Sequence, residues 1–123
     1  MWRLLFIAFL IAHGLVHLAI WLMPKPKNQE VPFDPSHSWL IGDQRAVAVT
    51  IAVVAAAFLV AAGLGLWAEA GWWRGAAVIG LAVSFGLMVL YFTPWYLFVE
   101  GVNAALIVGL VWLTWPSRTM VGA

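Results

Sequence analysis

Four apolar stretches, each close to the ~20 residues that a helix needs to cross a bilayer, constrain the fold of this chain more than any other feature. They cover approximately residues 2–23, 44–67, 72–92 and 95–115. Only 9% of the residues are charged, whereas soluble domains carry about 25%. We therefore predict an all-α integral membrane protein, an antiparallel four-helix transmembrane bundle in which residues 1–123 form one domain.

The links between these stretches differ greatly in length. Residues 68–71 and 93–94 are short connections, which make successive helices antiparallel neighbours. Residues 24–43 form a long polar loop that contains four prolines. A connection of this length and composition is able to cover or line a binding site.

The number of spans also bears on orientation. Four spans put both termini on one side of the membrane, called here the terminal side, and the loop 24–43 on the opposite side, called the loop side. Lysine and arginine are divided three against three between the sides, so the positive-inside rule does not decide between them. We expect a multi-pass protein of the cell membrane whose terminal side faces the cytoplasm.

Two pairs of polar residues interrupt the apolar stretches. His13 and His17 are four residues apart, so they lie on one face of the first helix, and Glu100 and Asn103 share a face of the fourth. At ~1.5 Å per residue, His17 and Glu100 both lie about 9 Å from the loop side, with His13 and Asn103 about 13–15 Å deep. We predict that His17 pairs with Glu100 and His13 with Asn103, with the ionisable groups facing the bundle interior.

These pairs predict a polar cleft that opens on the loop side. Trp21 continues the histidine stripe by one turn and Tyr96 precedes Glu100 by one turn, so their rings would line the mouth together with Trp39 of the loop. Aromatic walls around a few polar groups are typical of small-molecule pockets. The leading hypothesis is a binding protein, or an accessory subunit of a larger membrane complex, whose cleft holds a small amphipathic ligand, a lipid or a quinone. The alternatives are that the rings are interfacial belt residues and that the histidines only stabilise the bundle.

A metal site is a second hypothesis, for a membrane enzyme or a metal carrier. His13, His17 and His37, with Asp34 or Glu100, offer imidazole and carboxylate ligands of the kind that suit Zn, Mn or non-haem Fe. The histidine pair lacks the glutamate of the HExxH motif, and no cysteine is present to supply thiolates. Haem is disfavoured because both membrane histidines lie on one helix, so a divalent metal is the cofactor that the sequence allows. No catalytic residues are indicated.

Glu100 also fits a third hypothesis, a dimeric proton-coupled exporter in which this carboxyl is alternately protonated. Small residues at four-residue spacing would let a second copy, or a subunit of a larger complex, pack closely against the bundle. Two such stripes are Ala76, Gly80 and Ser84, and Gly101, Ala105 and Gly109. The same stripes fit packing within the chain. A formal net charge of +1 without a basic tract argues against nucleic acid as a partner.

Three segments carry a family resemblance: HGLVHL at residues 13–18, PFDPSHSWL at residues 32–40 and FTPWY at residues 92–96. Their combination is similar to uncharacterised small bacterial four-helix integral membrane proteins of about this length, and the similarity covers the whole chain. The resemblance implies a four-helix fold in a bacterial membrane, but no activity and no site residues. Small multidrug transporters also have four helices and one membrane glutamate, which lies in their first helix, whereas Glu100 lies in the fourth.

Overall fold

A computed structural model describes residues 1–22 and 35–122, and it is built from helices. The helices are α1 (Trp2–Leu22), α2 (Arg45–Trp67), α3 (Trp73–Leu90), α4 (Leu97–Val111) and the short α5 (Arg118–Val121), with a 3-10 turn (Pro94–Tyr96) before α4. Two-residue strands β1 (His37–Ser38) and β2 (Gly42–Asp43) form a small hairpin before α2. Four segments are long and apolar enough to span a membrane: α1, α2, α3 and the fourth span, Pro94–Val111. The predicted four-helix transmembrane bundle is confirmed.

The long helices pack in chain order, α1 against α2, α2 against α3 and α3 against α4. Leu10, Leu59 and Leu81 belong to a buried apolar cluster in the terminal half of the bundle. A second cluster in the loop half includes Trp21 and Tyr96. The backbones of α1 and α4 approach each other less closely than those of successive helices. Side chains bridge this boundary, which we call the seam.

Small residues explain how closely the successive helices approach. A Cβ atom added to Gly80 of α3 would lie 2.8 Å from Leu59 Cγ of α2, and one added to Gly63 of α2 would lie 2.7 Å from Ile11 Cγ1 of α1. Only glycine therefore fits at these two crossings.

The predicted small-residue stripes have different environments. In the stripe Ala76, Gly80 and Ser84, the last two residues are buried inside the chain, as expected for the alternative of packing within the bundle. The stripe on the fourth helix is divided: Gly101 and Ala105 are exposed, whereas Gly109 is covered by the indole of Trp115.

The fourth span ends earlier than the sequence predicted. Its helix stops at Val111 rather than near residue 115, and the backbone N–H of Trp115 donates to the carbonyl of Gly109 at 2.8 Å. Thr114 adopts a positive φ of 49°, which reverses the chain. The segment then forms α5, which packs against α1 and buries Val121. The terminal residues of the described chain therefore lie at one end of the bundle.

Neighbouring elements satisfy the carbonyl groups at two helix ends. On the loop side, the hairpin docks on the end of α3: Ser38 Oγ donates to the carbonyl of Leu90 at 2.6 Å and Trp39 Nε1 to that of Val89 at 2.7 Å. On the terminal side, Arg3 donates to the carbonyl of Trp67 at 2.5 Å, at the end of α2. The last carbonyls of a helix have no partner within it, so these contacts stabilise the ends.

Replacing Gly80 by alanine is expected to lower the free energy of unfolding by about 1–2 kcal/mol, because the new methyl group meets the buried Leu59. Gly86 of the same helix is the matched control, since no atom lies within 4 Å of an added Cβ there. Alanine at Gly86 is expected to leave stability unchanged or raise it by about 0.5–1 kcal/mol. Reversible unfolding in mixed detergent micelles measures both variants, and equal effects would contradict the packing described.

Candidate functional site

Four polar side chains form a single hydrogen-bonded network inside the bundle. His13 Nε2 lies 2.9 Å from Asn103 Oδ1, and Asn103 Nδ2 donates to Ser84 Oγ at 2.9 Å. Ser84 Oγ lies 2.7 Å from His17 Nε2, and His17 Nδ1 lies 2.7 Å from the carbonyl oxygen of His13. His17, Ser84 and Asn103 are each 0% exposed. We call these four residues the polar network; it joins α1, α3 and α4.

Two oxygens that can only accept, the backbone carbonyl of His13 and Oδ1 of Asn103, indicate the direction of the hydrogen bonds in the polar network. A carbonyl oxygen only accepts, so His17 Nδ1 carries a proton and donates to His13. Nε2 of the neutral His17 imidazole then accepts from the Ser84 hydroxyl, whose oxygen accepts from the Asn103 amide. Asn103 Oδ1 therefore accepts from His13 Nε2. With one proton on each ring, the two histidines are opposite tautomers, Nδ1–H in His17 and Nε2–H in His13.

Aromatic rings hold the two imidazoles along α1. Phe9, His13, His17 and Trp21 follow one another at four-residue intervals, so their rings lie on one face of the helix. The Phe9 and His13 rings stack with centroids 5.4 Å apart, and those of His17 and Trp21 stack at 5.9 Å. The four-residue periodicity thus places both histidines on the same face of α1. Stacking against the neighbouring rings restricts the rotamers of both imidazoles.

Glu100 lies on the seam beside the polar network. It is one helical turn from Asn103 and one turn from Tyr96, and these two residues contact His13 and Trp21 of α1. Both carboxyl oxygens are covered by protein atoms, and neither has a hydrogen-bond partner in residues 1–22 and 35–122. The residue as a whole is only half-buried. Glu100 thus combines a sheltered, unpartnered carboxyl group with a stem that reaches the bundle surface.

One of the two predicted pairs is present. The hydrogen bond between His13 and Asn103 confirms the predicted pairing of these two residues. The pairing of His17 with Glu100 is wrong, because both ring nitrogens of His17 are engaged elsewhere, one by Ser84 and one by the His13 carbonyl. Equal depth placed the two groups at one level, but it did not fix the direction in which each side chain points.

The predicted opening on the loop side is closed among the described residues. Trp21 is 2% exposed and Tyr96 4% exposed, and their rings lie 5.8 Å apart across the seam. Trp21 Nε1 also donates to the carbonyl of Pro35 at 2.8 Å. Trp39 is not part of this site, because it is 66% exposed and bonds the end of α3. The aromatic residues therefore cover the polar network instead of lining an open mouth.

The structure does not assemble the predicted metal ligands. His37 lies in the exposed hairpin, where its Nδ1 is 2.7 Å from Asp43 Oδ1, its partner in the strand register. Across the described ranges, no three His, Asp or Glu side chains are grouped so that they could hold a metal ion. His37 therefore does not join His13 and His17, and Asp34 lies outside the described residues.

Ser84, to which both His17 and Asn103 bond, was not among the predicted site residues. Its four-residue spacing with Gly80 and Ala76 indicated only a small residue for close packing. Thr50 also lies in the loop half of the bundle, but it is exposed and its hydroxyl bonds the carbonyl of Ala46 in its own helix at 2.7 Å.

Replacing Ser84 by alanine is expected to lower the free energy of unfolding by about 1–2 kcal/mol, because it leaves the buried His17 and Asn103 groups without partners. The control is Thr50→Val, which removes a hydroxyl that bonds only its own helix. That variant is expected to change stability little. Equal losses in the two variants, measured by reversible unfolding in micelles, would argue against the polar network.

The tautomers are testable directly. Nitrogen-15 NMR of histidine-labelled protein in bilayers at neutral pH is expected to show a proton on Nδ1 of His17 and on Nε2 of His13, because of the bond directions above. The Ser84→Ala variant serves as the comparison, since it removes the group that bonds His17 Nε2. A neutral His17 that carries its proton on Nε2 would contradict the assignment.

Comparison of the chain with protein-family models, curated proteins and solved structures finds no match. The chemistry of the residues at the seam therefore carries the functional conclusion.

Proposed function

We propose that this multi-pass membrane protein binds a small amphipathic molecule, a quinone or a lipid-like compound, which enters the seam from the bilayer. The observation that carries the proposal is the Glu100 carboxyl group, which is sheltered by protein and lacks a hydrogen-bond partner among the described residues. Buried polar groups in native proteins are nearly always paired. An ionisable side chain within a span is costly and commonly marks a functional position.

The chemistry of a carboxyl group defines the ligands that would pair with it. A protonated Glu100 donates a hydrogen bond, for example to the carbonyl of a quinone. An ionised Glu100 accepts hydrogen bonds from hydroxyl or ammonium groups, such as those of a quinol or an amine head. The rest of such a ligand is apolar, in keeping with a site that is reached through lipid. Glu100 is only half-buried, so part of the residue already reaches that surface.

The neighbours of Glu100 have supporting roles in this proposal. The polar network fixes the distance between α1 and α4, because His13 bonds Asn103 across the seam at 2.9 Å. Trp21 and Tyr96, whose rings are both buried, close the loop side of Glu100 and leave the approach from the bilayer. His13 is half-buried and is the member of the network nearest to the bundle surface. His17 and Asn103 act as positioning residues in this proposal, since each is fully engaged.

A second candidate function is favoured by a separate observation. Gly101 and Ala105 are exposed on the face of α4 opposite Asn103, and an added Cβ at Gly101 meets no atom within 4 Å. Such a face suits close packing of another membrane helix. A homodimer through this face would fit the proposal of a proton-coupled exporter that uses Glu100, and a different partner would fit an accessory subunit of a larger complex.

The cellular setting forms part of the proposal. The three motifs that resemble small bacterial membrane proteins support a bacterial cell membrane. We place the terminal side in the cytoplasm, which fusions of a reporter enzyme to either side of the bundle would check.

For a ligand held by the ionised carboxylate, replacing Glu100 by glutamine is expected to weaken binding about tenfold, because a charge-assisted hydrogen bond is replaced by a weaker one. Native mass spectrometry of gently extracted protein measures bound small molecules, metals and stoichiometry together. The matched control is Glu69→Gln, which makes the same chemical change at the terminal side, where Glu69 pairs with Arg3.

The outcomes separate the candidates. A bound amphipathic molecule that is lost in Glu100→Gln and retained in Glu69→Gln supports ligand binding. A stable dimer whose vesicle transport of cations stops in Glu100→Gln supports the exporter. Protein that carries only bulk lipid, with equal spectra for both variants and no transport, would refute both functions.

A further inference from the structure

A second cluster of polar residues lies at the terminal side, far from Glu100 along the fourth span. Arg74, near the start of α3, and Arg118, at the start of α5, line the same two neighbouring recesses. Both positively charged side chains therefore border the same space. Like charges placed side by side at the edge of a low-dielectric bundle are unfavourable unless an anion lies near both.

The Arg74 side chain is held in place by two contacts, but one of its hydrogen-bond donors has no partner among the described residues. One of its terminal nitrogens, Nη2, donates to the carbonyl of Pro116. The guanidinium carbon lies 4.7 Å from the centroid of the Trp73 ring, a cation–π contact. The other terminal nitrogen, Nη1, is buried and has no hydrogen-bond partner within the part of the chain that the structure describes. Arg74 is thus oriented by two contacts and retains unused donor capacity.

Acidic side chains nearby do not neutralise the pair. Glu69 lines one of the two recesses, but its carboxylate is 2.6 Å from Arg3 Nη1. Among the described residues, this end of the bundle therefore carries three guanidinium groups and one side-chain carboxylate. The excess of positive charge lies with Arg74 and Arg118.

The depth of the cluster indicates where its ligand comes from. Trp72 and Trp112 are exposed beside the cluster at this end of the bundle, and exposed tryptophans mark the interface between lipid and water. The recesses are also lined by Leu110 and by the hydroxyl-bearing Thr114 and Ser117. An anion at this depth, next to both apolar and hydroxyl groups, corresponds to the phosphate of a phospholipid.

We propose that Arg74 and Arg118 together hold the phosphate group of an anionic phospholipid in the headgroup layer of the terminal side. Arginine suits this role because its planar guanidinium donates two parallel hydrogen bonds to phosphate oxygens. A zwitterionic lipid is a poorer ligand, since its ammonium group would bring a further positive charge to the site. The proposal is independent of ligand binding at Glu100.

The test uses the full chain reconstituted in vesicles that contain phosphatidylglycerol and phosphatidylcholine in equal amounts. Lipid that remains with the gently extracted protein is then counted by mass spectrometry. Wild-type protein is expected to retain phosphatidylglycerol in preference to phosphatidylcholine, and Arg118→Gln to reduce that preference about fivefold, the effect of one basic residue at a membrane surface. The matched control is Arg45→Gln, which removes an arginine at the loop side, where Arg45 faces the end of α1.

Each outcome decides the assignment. Loss of the preference in Arg118→Gln but not in Arg45→Gln supports it, and Arg74→Gln is expected to give the same result. If Arg74→Gln does not fold, the exposed Arg118 still provides the test. Equal losses in Arg118→Gln and Arg45→Gln would show general surface attraction and overturn the site. Displacement of the lipid by inorganic phosphate would identify a soluble anion as the ligand and overturn the lipid assignment.

Discussion

Polar groups within hydrocarbon must find their partners inside the protein, and the arrangement of this bundle depends on how four side chains do so. The polar network joins three helices in pairs: His13 of α1 bonds Asn103 of α4, His17 of α1 bonds Ser84 of α3, and Asn103 bonds Ser84. Hydrogen bonds between membrane helices contribute only about 0.6 kcal/mol each on average. Their main effect here is specificity, because a rotation of any of the three helices would break two bonds at once.

The helix α2 contributes no residue to the polar network, but its packing makes the network possible. Its buried face consists largely of alanine and glycine, including Ala52, Ala55 and Ala56. Small side chains on α2 let α1 and α3 lie close on either side of it, which allows His17 to reach Ser84 across the bundle. The bundle thus combines two modes of association: close packing of small residues holds α2 to its neighbours, and hydrogen bonds hold the seam, where close packing is missing.

The sequence was sufficient to predict features that depend on local composition. It was insufficient to predict how the chain turns after the fourth span and which way side chains point around a helix axis. The limits of α1, α2 and α3 were predicted to within two residues, because apolar length and flanking prolines are local signals. The end of the fourth span was wrong, since Trp115 turns back onto Gly109 through a contact between residues that are six apart. Counting depth found the His13–Asn103 pair. It could not tell that His17 points to Ser84 rather than to Glu100, because depth carries no information about rotation around the helix axis.

Among the described residues, several of the few charged side chains complete the structure of the chain itself, and this makes the others informative. Arg3 and Glu69 pair with each other at 2.6 Å while Arg3 also covers the end of α2. In residues 1–22 and 35–122, the buried groups whose hydrogen-bonding capacity remains unused include the carboxyl of Glu100 and one nitrogen of Arg74. They lie on different sides of the bundle and have opposite charge preferences, so neither can complete the other. A polar group that the fold buries without a partner costs free energy, and a ligand that supplies the partner offsets that cost. The ligands proposed for the two groups therefore differ in kind, a hydrogen-bonding head at the seam and an anion at the terminal side.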